Sequence, residues 1–159
     1  MQTPFEDADT EMEELRKQLK ETLATVFSFY LKAHNFHWNV EGPMFYEYHK
    51  MFGDIYEDVH SSIDGIAENL RKIGTYAPGS YTRFSELSKI EDCVDVPPVQ
   101  DMVDRLLADN ALVIESLNVS FSSAEAINNQ GLMNFLADRI DQHQKWAWFL
   151  RASKKNKGE

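Results

Sequence analysis

Long segments without glycine or proline are the feature that most limits how this chain can fold. Its 159 residues include only seven glycines and five prolines, and most of these lie in a few short segments. Because glycine and proline interrupt regular structure, the segments between them are predicted to form long elements. Apolar residues recur in those segments at intervals of three and four, which indicates amphipathic helices, and no segment shows the alternating pattern of a strand.

Four long helices are predicted from this spacing, at about residues 9–36, 43–73, 97–126 and 132–152. Prolines fit the first turns of the second and third helices, and Gly74 fits the C-terminal cap of the second. A long connector separates the second and third helices, and its SELSKI segment, residues 85–90, is expected to form one short helix. This arrangement predicts an all-α, ferritin-like four-helix bundle. We expect residues 1–159 to form a single domain, with flexible tails at 1–8 and 154–159.

Charge and composition exclude several classes of protein. A formal net charge of −10 argues against a general nucleic-acid coat and favours attraction of cations. Cys93 is the only cysteine, so no disulfide framework is possible and a reducing compartment is expected. The acidic N-terminal segment is unlike a signal peptide, and no apolar run approaches the ~20 residues that span a bilayer. We therefore expect a cytoplasmic protein without a membrane partner.

A di-iron site inside one bundle is not expected from this sequence. Such sites use glutamates from two helices and Glu-x-x-His pairs from two others. The chain offers a single pair of this kind, Glu57 and His60, and the fourth helix contains none.

The second helix instead carries metal ligands at its two ends. Asp64 and Glu68 are four residues apart, so they share a helix face and can bind one cation. His49 lies about 22 Å from Asp64 along the helix, too far for a shared metal in one chain. A second copy of the helix, antiparallel about a two-fold axis near residues 57–58, brings His49 close to Asp64 and Glu68 of the partner subunit. His37, at the end of the first helix, leans toward His49 because the Gly-Pro turn folds the helices together.

The motifs in this region resemble those of a known family. HWNVEG at residues 37–42, then His49, then DGIAENLRKIGTYAPGSYTRFSEL at 64–87 are similar to the signature of the Dps-type mini-ferritins, the DNA-binding proteins from starved cells. The resemblance extends from the first helix to WFL at 148–150. It implies a hollow dodecamer that oxidises Fe(II), with hydrogen peroxide or O2 as oxidant and peroxide preferred, and stores the ferric mineral. Protection against oxidative stress follows from that chemistry.

The resemblance also assigns residues to a ferroxidase centre at the dimer interface. His37 and His49 are implied as metal ligands from one subunit, and Asp64 and Glu68 of the partner subunit complete the set. Trp38 is implied beside the centre, where it accepts stray oxidising equivalents.

One position departs from the family pattern. An acid usually follows the second histidine by four residues, and here that position is Gly53. Asp54 is rotated by ~100° and should point elsewhere. We hypothesise that Gly53 opens space for His60 of the partner subunit as a further ligand. An exposed helix pair of Glu57 with His60 remains the alternative. Because imidazole suits Fe, Zn and Cu alike, Zn(II) is a possible competing or resident metal.

Two rival functions remain open from the sequence. The first is a non-catalytic DNA-binding or structural shell whose ferroxidase centre is impaired by Gly53, and the second is a zinc-occupied centre. DNA binding would use the basic residues near the C-terminus, through the avidity of twelve chains; these are Arg151, Lys154, Lys155 and Lys157. The net charge opposes it, so DNA is not the favoured partner. His34 and His143 are interpreted as surface or satisfied core residues, and Trp146 and Trp148 as core or interface packing.

Overall fold

The computed structural model describes the backbone of residues 4–154 and the side chains of residues 8–154. It contains five helices, which are α1 (Pro4–Asn39), α2 (Phe45–Lys72), α3 (Tyr81–Leu87), α4 (Val99–Ala126) and α5 (Gln130–Lys154). Residues 4–154 include no strand. The predicted ferritin-like bundle, with one short helix in the long connection, is confirmed. No helix in the described part of the chain is long and apolar enough to cross a membrane.

Capping residues explain where helix boundaries differ from those predicted. The short helix covers YTRFSEL rather than SELSKI, because Ser80 is its N-cap and accepts a hydrogen bond from the Arg83 amide. The helix ends before Ser88, whose backbone is extended. The fifth helix begins at Gln130 because Asn129 Oδ1 accepts a hydrogen bond from the Leu132 amide.

Only residues 1–3 of the first predicted tail and 155–159 of the second lie outside the described backbone. In the first, the backbone is described from Pro4, where α1 already begins. In the second, Lys154 is helical and pairs with Asp104, whereas Lys155 and Lys157 lie beyond the described residues.

The core lies between α1, α2, α4 and α5 and consists of leucine, isoleucine, valine and aromatic side chains. Phe29, Phe36 and Phe52 are among its fully buried members. Left-handed backbone at Gly42 and Met44 turns the chain between α1 and α2, so the end of α1 lies beside the beginning of α2. Gly74, also left-handed, ends α2 as predicted.

A polar network occupies the bundle interior. The Arg139 guanidinium donates two hydrogen bonds to Asp58, at 3.0 and 2.9 Å, and Trp146 Nε1 donates a third to it at 2.8 Å. Burial raises the pKa of the Asp58 carboxyl, but these hydrogen bonds outweigh burial and hold the pKa below its usual value. His143 Nδ1 donates to Asn110 Oδ1, and burial, reinforced by the Arg139 charge, lowers the pKa of His143 to about 3. The interpretation of His143 as a satisfied core residue is confirmed.

The two tryptophans of α5 differ in environment. Trp146 is 4% exposed and belongs to the core, as predicted. Trp148 is 58% exposed and its ring forms a T-shaped contact with Phe149, so it lies outside the core and the alternative of interface packing stays a prediction. Its position on the outer face of α5 explains the exposure.

Candidate metal centre

The turn between α1 and α2 brings His37 and His49 into direct contact. Their rings are stacked, with centroids 3.8 Å apart and planes inclined by 19°. Each side chain also contacts the other residue's backbone: His37 Nδ1 lies 2.7 Å from the His49 carbonyl oxygen, and His49 Nδ1 lies 2.6 Å from the His37 carbonyl oxygen. The His37 carbonyl belongs to the last turn of α1, where no backbone donor is available within the helix.

These two hydrogen bonds determine where the imidazole protons lie. A carbonyl oxygen only accepts hydrogen bonds, so each Nδ1 must carry the proton. In the neutral ring, Nε2 is then left with a free lone pair, which is the atom a metal binds. A backbone carbonyl on the opposite nitrogen is a common support for a histidine ligand because it fixes the ring and its tautomer. The histidine pair therefore fits a divalent metal such as Fe(II).

The two predicted acidic ligands lie apart from the histidines in a single chain. Asp64 and Glu68 are exposed and one turn apart on α2, and neither forms an ion pair among residues 8–154. Within the same residues, no group of three or more histidine, cysteine or acidic side chains is close enough to hold a metal ion. The structure thus brings the predicted ligands together as two separate pairs.

Gly53 lies against the His37 ring of its own chain. A Cβ atom at position 53 would lie 3.0 Å from His37 Nδ1 and 3.1 Å from Cε1. On the side of α2 that faces its own chain, Gly53 therefore leaves no open space, because His37 fills it. His60 is exposed and its ring centroid lies 4.8 Å from that of Tyr30. Whether His60 reaches the centre of a partner subunit stays a prediction.

Aromatic rings surround the histidine pair, and sequence reasoning missed their arrangement. His34 stacks on Tyr56 with ring centroids 3.7 Å apart, and the Trp38 ring lies tilted against it at 3.9 Å. The Tyr30 hydroxyl and His34 Nδ1 share a hydrogen bond of 3.0 Å. Burial first, and then the nearby His37 and His60, lower the pKa of His34 and favour the neutral ring.

A signal for this cluster was present in the sequence. Tyr30, His34 and Trp38 follow one another at intervals of four, so they share one face of α1. Trp38 is 59% exposed and lies on the same end of α1 as His37, which agrees with a position beside the centre.

Comparison with known proteins identifies the family. The family model for the ferritin-like domain matches residues 16–156. The chain belongs to the ferritin-like family. Relatives include an uncharacterized low temperature-induced protein of Nostoc sp., 33% identical over 136 residues, which cover 84% of this chain and 76% of that protein. The DNA protection during starvation protein 2 of Bacillus anthracis is 28% identical over 123 residues, which cover 77% of this chain and 84% of that protein.

Solved structures agree on the fold. Dps from Thermosynechococcus elongatus has a TM-score of 0.92 at 21% identity, covering 96% of this chain and 97% of that chain. A Dps protein of Vibrio cholerae, described as a member of the ferritin-like diiron-carboxylate superfamily, has a TM-score of 0.87 at 24% identity, covering 92% of both chains. Within the ferritin-like family the chain is thus a mini-ferritin of the Dps type, as its motifs predicted.

Proposed function

We propose that this mini-ferritin is a ferroxidase that oxidises Fe(II), with hydrogen peroxide as the preferred oxidant, and stores the ferric mineral in a hollow dodecamer. The observation that carries the proposal is the reciprocal hydrogen bonding of His37 and His49, which leaves both Nε2 atoms free. Two oriented, half-buried imidazoles in a strongly acidic protein are well suited to bind a divalent metal.

The remaining ligands come from a second subunit in this proposal. An antiparallel copy of α2, related by a two-fold axis near residues 57–58, places Asp64 and Glu68 of the partner subunit opposite the histidine pair. Two imidazoles and two carboxylates offer the mixed nitrogen and oxygen ligands that Fe(II) accepts, and they leave positions open for the oxidant. The exposure of Asp64 and Glu68 is consistent with ligands that await a partner.

The reaction consumes Fe(II) as substrate. Hydrogen peroxide accepts one electron from each of two Fe(II) ions and takes up two protons, and two water molecules form. Performing both transfers at one site avoids release of hydroxyl radical, which is how the protein would protect against oxidative stress. The net charge of −10 draws Fe(II) toward the shell. Trp38, exposed beside the centre, is proposed to accept stray oxidising equivalents.

The test is anaerobic loading of the purified protein with Fe(II), followed by stoichiometric peroxide, while ferric absorbance is recorded. We expect rapid oxidation that is blocked by prior incubation with Zn(II). We expect the His49→Ala, Asp64→Ala double variant to lose the rapid oxidation of Fe(II). Oxidation of Fe(II) by the wild-type protein no faster than in buffer would refute the proposal.

His60 of the partner subunit is proposed as a further ligand on the same two-fold argument. His60→Ala should then weaken Zn(II) binding to the assembled protein, measured by calorimetry. Unchanged affinity would remove His60 from the centre and leave it as a surface residue packed on Tyr30. A more nitrogen-rich centre favours Zn(II), so metal analysis of the protein as purified would detect zinc as a resident metal.

A non-catalytic DNA-binding shell is the second candidate, because curated relatives are named as DNA protection proteins. Arg151 and Lys154 near the end of α5 are the described basic residues that would contact phosphate. Removing residues 154–159 should abolish any gel shift of DNA, and rising salt should weaken it steeply. Full-length protein that gives no shift at low salt would eliminate this candidate.

A further inference from the structure

We infer that Gly53 is a positioning residue for His37. Because Gly53 has no side chain, the His37 ring can lie against α2 and keep its hydrogen bond to the His49 carbonyl oxygen. This inference rests on the proposed function, because it concerns the same centre. It differs from the rival interpretation in which Gly53 impairs the centre. Here a Cβ atom at position 53 would press against the imidazole of His37.

The helix geometry explains why position 53 controls this contact. In an α-helix the carbonyl of residue 49 faces the amide of residue 53, one turn later. His37 Nδ1 reaches that same carbonyl over 2.7 Å, so its ring must lie beside the Cα atom of Gly53. A Cβ there would approach two ring atoms to 3.0 and 3.1 Å, which is closer than the ~3.5–4.0 Å of a favourable contact.

The His37 ring has little freedom to move away. Its Nδ1 is held by the His49 carbonyl, its face is stacked on the His49 ring at 3.8 Å, and Tyr56 packs edge-on at 5.1 Å. A side chain at position 53 therefore lengthens the hydrogen bond, disturbs the stack, or does both.

Loss of that hydrogen bond matters because it sets the tautomer. A neutral imidazole in water favours the proton on Nε2, and the carbonyl of His49 reverses this preference by holding the proton on Nδ1. Without the bond, the proton returns to the atom that should bind metal.

The experiment measures tautomers in the metal-free, assembled protein. Protein labelled with 13C and 15N in histidine is sedimented and studied by magic-angle-spinning NMR, and His37→Gln and His49→Gln variants assign the signals. We expect wild-type His37 and His49 to carry the proton on Nδ1. In Gly53→Ala, His37 should shift to the Nε2-protonated form while His49, which bonds to the His37 carbonyl, retains Nδ1–H.

Zn(II) affinity provides a second measurement by calorimetry. Loss of a supporting hydrogen bond to a histidine ligand weakens metal binding by roughly 10- to 100-fold, so Gly53→Ala should lose at least about tenfold. Gly79→Ala is the matched control, because a Cβ at that position meets nothing within 4 Å.

Each outcome is decisive. Alanine favours helix more than glycine, so Gly53→Ala is expected to fold and assemble. Wild-type protein with His37 protonated on Nε2 overturns the inference without any variant. A Gly53→Ala variant that keeps the wild-type tautomers and the wild-type Zn(II) affinity also overturns the inference. Failure of the proposed function is distinguishable, since it appears as absent iron oxidation while the wild-type tautomers are as expected.

Discussion

His37 and His49 orient each other: each donates its Nδ1 proton to the other residue's backbone carbonyl, across the turn between α1 and α2. Because both acceptors are backbone atoms, neither hydrogen bond depends on the side chain of the other histidine. Either histidine can therefore be replaced while the other keeps its hydrogen bond.

This relationship predicts the behaviour of single and double variants. His37→Ala and His49→Ala should each still bind Zn(II), with an affinity lowered by roughly 10-fold or more. Some binding is retained because the remaining histidine keeps its hydrogen bond. The double variant should lose binding at the centre. Calorimetry on the assembled proteins measures this, with Asp101→Asn on the exposed start of α4 as a control. Equal losses in the single and double variants would mean that the two rings act as one unit.

The buried His143 predicts a dependence of stability on pH. The pKa of His143 is about 3 in the folded protein against an ordinary value of 6.5, so between these values the unfolded chain binds a proton that the folded chain does not. The contribution of His143 to the free energy of unfolding is therefore fully present above about pH 6.5. It decreases as the pH falls toward 3, by up to about 1.4 kcal/mol per pH unit. His143→Gln should show a smaller fall in melting temperature between pH 6.5 and pH 4.5. The same fall in both proteins would show that other groups dominate the acid response.

The ion pair of Asp58 with Arg139 predicts a large loss of stability when one member is removed. Both side chains are mostly buried, at 23% and 13% exposure, and Asp58 also accepts the Trp146 indole proton. Asp58→Asn leaves the guanidinium charge without a counter-ion, at a cost of about 3 kcal/mol or more. Denaturant unfolding measures the free energy.

Asp54→Asn is the matched control for that prediction. Asp54 pairs with Lys50 at 3.4 Å on the exposed surface, where such pairs contribute less than about 1 kcal/mol. Equal losses of unfolding free energy in Asp54→Asn and Asp58→Asn would show that the buried pair contributes no more than the exposed one.

The bundle could be predicted because it depends on local patterns. Apolar spacing and rare helix breakers were enough to place four long helices and the cap at Gly74. The short helix was misplaced because its start depends on one side-chain cap, Ser80, whose effect is weaker than an apolar repeat. The exposure of Trp148 was also difficult to predict, because buried residues lie near it in the sequence and its own residue type does not indicate which face of α5 it occupies.

The centre was only partly predictable for a related reason. Motif and spacing were enough to propose the histidine and acid ligands, but the mutual orientation of His37 and His49 depends on a turn with left-handed backbone at Gly42 and Met44. Tautomers fixed by backbone carbonyls, and the contact of Gly53 with His37, are tertiary relationships that no local pattern encodes. The stacking of His34 on Tyr56 likewise joins two helices.

Subunit mixing tests most directly the central claim that each centre is shared between two chains. One parent carries His37→Ala with His49→Ala, the other Asp64→Ala with Glu68→Ala, and each alone should fail to oxidise Fe(II) with peroxide. After dissociation and random reassembly, half of the dimers are mixed, and each mixed dimer contains one intact and one doubly defective site. We predict recovery of about a quarter of wild-type activity. Mixed protein as inactive as its parents, despite proven exchange of subunits, would contradict a shared centre.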